Sequence, residues 1–91
     1  MPEVSPSVRK DLRNRLSRIE GQARGVQNML DEGRDCQEIL PQLMAIRSAA
    51  YQASLMLVRS HALECLRRPD RSMSTEEIVE TVVGVLAKMP Y

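Results

Sequence analysis

The strongest constraint on how this chain folds is a rhythm in its apolar residues. Leu12, Leu16, Ile19, Ala23, Val26 and Leu30 follow one another in alternating steps of four and three. The same steps return at Ile39, Leu43, Ile46, Ala50, Ala53 and Leu57. Steps of this kind keep side chains on one face of an α-helix. Both stretches are therefore predicted as long helices. A shorter stripe at Ile78, Val82, Val85 and Leu86 predicts a third.

Local signals set the ends. Ser5 suits an N-cap and Pro6 the first helical position, and Gly33 suits a terminator. Asp35 and Glu38 have the spacing of a capping box, as do Ser74 and Glu77. Pro41 removes a backbone donor early in the second helix and predicts a local kink; Pro69 lies just past its end. The expected helices span about residues 6–32, 35–67 and 74–88, all-α, in a single domain over 1–91. At 1.5 Å per residue the first two would be about 40 and 45 Å long. Helices of that length do not close into a compact monomer of 91 residues. The second is also apolar at Leu40, Met44, Leu55, Met56 and Val58, off its main face. A two-fold antiparallel dimer with a four-helix-bundle core is the economical solution.

Composition narrows the function. Tyr51 and Tyr91 are the sole aromatic residues, which argues against the stacking platforms that grip single-stranded nucleic acid. No apolar run reaches about 18 residues, so no membrane span is expected. The N-terminus lacks the apolar centre of a signal peptide, and two cysteines without one point to a reducing cytoplasm. One histidine, no Gly-rich phosphate loop and no nucleophile–base set argue against an enzyme and against a small-molecule substrate.

That histidine, His61, precedes Cys65 by four residues, so the two leave the same helix face about 6 Å apart at Cβ. The spacing suits two ligands of one metal, but a lone His beside a lone Cys is more often packing than ligation. Cys36 lies 25 residues before His61, roughly 37 Å away along a continuous helix. It cannot complete a site within one chain. In an antiparallel dimer, Cys36 of one subunit can meet His61 and Cys65 of the other. Two thiolates and one imidazole favour Cu(I). Zinc competes but wants a fourth ligand, for which Asp35 or Glu64 would have to serve.

The first helix carries Arg9, Lys10, Arg13, Arg15, Arg18 and Arg24, while acids collect elsewhere at Asp31, Glu32, Glu76, Glu77 and Glu80. The net charge of +1 hides this segregation. Such a patch can hold DNA phosphates or can be a solvated face laced with ion pairs. No helix-turn-helix spacing is present. A copper-buffering protein would share the Cys–His–Cys set but would not need the basic first helix.

"RLSRIEGQARGVQNML", "DCQEILPQLMAIRSA" and "HALEC" together resemble the copper-sensitive operon repressor (CsoR/RcnR-type) family over nearly the whole chain. The resemblance implies an all-α homotetramer, a dimer of dimers. It implies a cytoplasmic bacterial transcriptional repressor that binds operator DNA without a helix-turn-helix and releases it when its inducer binds. Copper-resistance or efflux genes would thereby be derepressed. It assigns Cys36, His61 and Cys65 as Cu(I) ligands and Glu80 as a hydrogen-bond partner of His61. The basic patch itself offers Arg9, Lys10, Arg13, Arg15 and Arg18 as the expected DNA face, and among them Arg15 matches a basic position of the family's DNA face. Asp35 stands where copper sensors commonly have Tyr, and resembles the persulfide-sensing branch, which bridges positions equivalent to Cys36 and Cys65. Pro2 with Cys36 resembles the formaldehyde-sensing branch.

Overall fold

The computed structural model describes residues 4–67 and 73–89. It has three helices: α1 (Pro6–Asp31), α2 (Cys36–Arg67) and α3 (Thr75–Lys88). The expected boundaries hold to within one residue, and Pro69 lies outside the described residues.

The ends show which local signals act. Ser5 is the extended N-cap of α1 with Pro6 behind it, but its side chain makes no capping bond. Its carbonyl accepts from Arg9 N–H at 2.8 Å. At the other end Gly33 takes φ +74, the left-handed conformation that a side chain disfavours. Gly33 N–H then donates to the Leu30 carbonyl at 3.1 Å and Arg34 N–H to the Met29 carbonyl at 3.0 Å, a Schellman motif. α2 starts on Asp35, whose Oδ1 accepts from Glu38 N–H at 3.0 Å. The expected reciprocal half of that box is replaced: the Glu38 carboxylate pairs with Arg34, which also lies 3.5 Å from Glu32. These two carboxylates, Glu38 foremost, raise the Arg34 pKa above its ordinary value. α2 is assigned as one continuous helix through Pro41. In α3 the Ser74–Glu77 capping box is complete, with bonds of 3.1 and 3.4 Å.

The short link between Asp31 and Cys36 folds α1 back along α2 as an antiparallel hairpin. α3 packs on α2 and not on α1. The result is a slab of 56 × 27 × 13 Å. Its thinnest dimension is about one helix diameter, so the subunit is a single layer. Its radius of gyration is 17.3 Å, against about 12 Å for a compact chain of this length. Among the described residues, Val26, Ala53, Cys65 and Ile78 alone are buried. Leu16 and Leu30 of α1 remain 48% and 60% exposed, and Leu40, Leu43 and Met44 of α2 are similarly bare. A stable domain needs a second layer over such a face. No described helix is long and apolar enough to cross a membrane.

Candidate functional site

The long α2 helix positions every thiol and the imidazole. His61 is half-buried and Cys65 buried, near the helix end on which α3 packs. Cys65 Sγ lies 3.8 Å from His61 Nδ1 and 3.7 Å from Nε2. Zinc bond lengths to nitrogen and sulfur, about 2.0 and 2.3 Å, give a test of fit. Donors held at those lengths 120° apart stand about 3.7 Å from each other, and at the tetrahedral angle about 3.5 Å. The separation is in the range of two ligands of one ion, but Cys65 Sγ stands almost equally far from both ring nitrogens, so the His61 side chain must turn before either nitrogen lone pair can share an ion with the thiolate.

Cys36 is the first residue of α2 and is exposed. At 100° per residue it points within about 20° of both His61 and Cys65, between the two around the helix axis. All three therefore share one stripe, although they lie at opposite ends of the helix. Ala50 and Ser54, midway along it, keep the stripe narrow. The Ser54 hydroxyl is satisfied internally, donating to the Ala50 carbonyl at 3.0 Å. Within one chain, no group of three His, Cys, Asp or Glu residues gathers for a metal among the described residues.

The remaining expected site residues divide. Asp35 is occupied as the α2 cap. Glu80 is exposed, and no hydrogen bond joins it to His61 among the described residues of the single chain. Two residues beyond the buried Ile78, it projects from the side of α3 turned away from α2. Pro2 lies outside the described residues.

The basic residues of α1 do not form one face. Arg9, Lys10 and Arg13 cluster on its outer side. Arg15 and Arg18, with Asp11, share a different flank by their steps of four and three. Arg9, Lys10, Arg13 and Arg18 are exposed and enter no ion pair among the described residues. Arg15 is half-buried, its Nε 3.7 Å from Asp11 Oδ1. That contact is too long for a hydrogen bond, and the Nε has no other partner. A face laced with ion pairs is thus not what α1 presents; most of its cations are free to meet an external anion.

The model of the metal-sensitive transcriptional repressor family matches residues 8–88. The copper-sensing transcriptional repressor CsoR of Bacillus subtilis is 36% identical over 84 residues, covering 92% of this chain and 83% of that protein. The transcriptional repressor RcnR of Escherichia coli K12 is 31% identical over 78 residues, 86% of this chain and 87% of its own length. Among solved structures, the copper-sensing repressor CsoR with Cu(I) from Geobacillus thermodenitrificans matches with a TM-score of 0.78 at 34% identity, over 97% of this chain and 92% of that one. Sequence, fold and coverage agree: the chain belongs to the metal-sensitive transcriptional repressors, a family of DNA-acting regulators rather than enzymes.

Proposed function

We propose that this protein is a Cu(I)-responsive transcriptional repressor. Its apo form binds operator DNA, and inducer binding at a site shared between two subunits releases it, derepressing copper-resistance or efflux genes. The observation that carries this reading is the common stripe of Cys36, His61 and Cys65 on α2. Two antiparallel copies of that helix bring Cys36 of the partner subunit to the His61–Cys65 pair, twice per dimer. Copper-sensing relatives of similar length and fold support the choice of inducer.

The residues themselves argue for copper. When bound, Cu(I) supplies a soft centre that accepts few donors and prefers thiolate and imidazole. Cys65 and His61 stand within 3.8 Å of each other, close enough for a turn of the imidazole to bring both to one ion. Asp35, the nearest oxygen donor in sequence to Cys36, is committed to its own helix. Closing the site ties the start of one α2 to the end of its mate, beneath α3. A preference of 1–3 kcal/mol for the shape with low DNA affinity is enough to act as a switch.

Assembly follows from the exposed surface. The subunit exposes 7046 Å², against about 5,400 Å² for a compact monomer of this mass. The excess comes from the flat, single-layer shape, which leaves an apolar face for further copies to cover. That supports a homodimer pairing into a homotetramer.

The test is a titration of reduced protein on a fluorescent operator duplex with Cu(I), a persulfide donor and formaldehyde, each followed by intact-mass spectrometry. The expected result is one Cu(I) per subunit, DNA release and no covalent adduct. DNA release by a persulfide or a methylene adduct, with no response to Cu(I), would overturn the copper assignment.

A further inference from the structure

The α1–α2 hairpin brings the start of the chain beside the end of α2, and a polar cleft of about 430 Å³ opens between them. Ser5 and Ser7 line it from α1, and Arg59 and Arg67 from α2, with Asp11 and Glu64 as the acids. We propose that this cleft seats phosphates of bound DNA, with Arg59 and Arg67 as the groups that hold them. The DNA face then extends beyond α1. The inference rests on the repressor reading and adds residues that α1 alone does not supply.

Charge accounting supports a phosphate ligand. Arg59 and Arg67 are exposed and enter no ion pair among the described residues. Asp11 leans on Arg15 rather than on either of them. Asp11, drawn toward Arg15 at 3.7 Å, and Glu64 are the acids among the cleft's described residues that oppose an anion here. Arg15 and Arg18 lie on the α1 flank that includes Asp11, so four arginines of each subunit face one side. Serine hydroxyls and arginines are ordinary phosphate donors.

Position supports it as well. Arg59 and Arg67 stand about 140° to either side of the Cys36–His61–Cys65 stripe, straddling the back of α2. On α1, the bare Leu16 and Leu30 lie away from the Asp11–Arg15–Arg18 flank. The cleft therefore opens on the side of the slab opposite the apolar surface. It stays open when copies pair through that surface, and two-fold pairing repeats it, as a duplex with two half-sites requires.

The test compares full-length apo variants by fluorescence anisotropy across a salt series. The probe is a fluorescent duplex of the DNA upstream of the protein's own coding sequence. Each phosphate contact contributes about 0.9 to the slope of log affinity against log salt. Arg59→Gln with Arg67→Gln removes four contacts per dimer, so the slope should fall by about 3.6 and affinity by at least tenfold. Glu64→Gln should do the reverse and tighten binding several-fold. If the double variant keeps wild-type slope and affinity, the cleft holds no phosphate. If the double variant fails to fold, Glu64→Gln decides alone: unchanged or weaker binding overturns the proposal. A wild type that binds no duplex would instead bring down the repressor reading, and this inference with it.

Discussion

At the scale of single residues, the account turns on three donors and two kinds of arginine. His61→Ala leaves two thiolates for the metal, so Cu(I) should still bind, at least tenfold more weakly. The coupling should suffer more: Cu(I) should no longer release DNA, a loss of most of the 1–3 kcal/mol typical of an allosteric link. Binding isotherms with and without DNA measure both quantities. Arg15→Gln removes a half-buried cation whose Nε has no hydrogen-bond partner. It should weaken DNA binding and lower the salt slope by about 1.8 per dimer, while the oligomer mass stays unchanged. An unaltered affinity would take Arg15 out of the DNA face. The candidate ligands were legible as types and spacings in the sequence, because His61 and Cys65 are one turn apart on any helix. Their separation of 3.7–3.8 Å was not, since it depends on rotamers. Nor was the turn of Glu38 toward Arg34, where a nearby guanidinium outcompetes a backbone N–H for the carboxylate.

At the scale of elements, boundaries were readable because each has a local chemical cause. Gly33 stops α1 by taking a backbone conformation open to it, and Ser74 starts α3 by capping the Glu77 amide. Gly33→Ala should therefore destabilise the protein by about 1 kcal/mol, through strain in the Schellman turn and not through lost packing. No atom lies within 4 Å of where the new methyl would sit. Chemical denaturation of the reduced protein checks this, and a neutral or stabilising result would contradict it. What the elements do to one another was less legible. Nothing in the spacing of Ser5 or Arg67 reveals that they line one cleft. That follows from the antiparallel hairpin and the register of two long helices. The outward placement of Glu80 likewise depends on which side of α3 meets α2, decided by Ile78.

At the scale of the molecule, the subunit is a layer in search of another. Its apolar residues are numerous enough for a core, yet few are covered. The sequence announced this in the length of α1 and α2, since helices of 26 and 32 residues cannot wrap around each other in so short a chain. Leu43→Glu places a charge on the open face of α2, among residues that antiparallel copies would cover. It should dissociate the oligomer and abolish a cooperative unfolding transition, because burying an unpaired carboxylate costs several kcal/mol. Analytical ultracentrifugation and calorimetry read the two effects.

The central claim is that the sensor belongs to two chains at once, and mixing tests it directly. Neither Cys36→Ser nor the double change His61→Ala with Cys65→Ser should form a complete site alone. Unfolded together in equal amounts and refolded, half of the resulting dimers pair one chain of each kind, and each such dimer regains one full set of donors. Cu(I) titration of the mixture should therefore recover about one high-affinity site per four subunits. Recovery of none, with mixed dimers verified by mass, would contradict a site built across the two-fold.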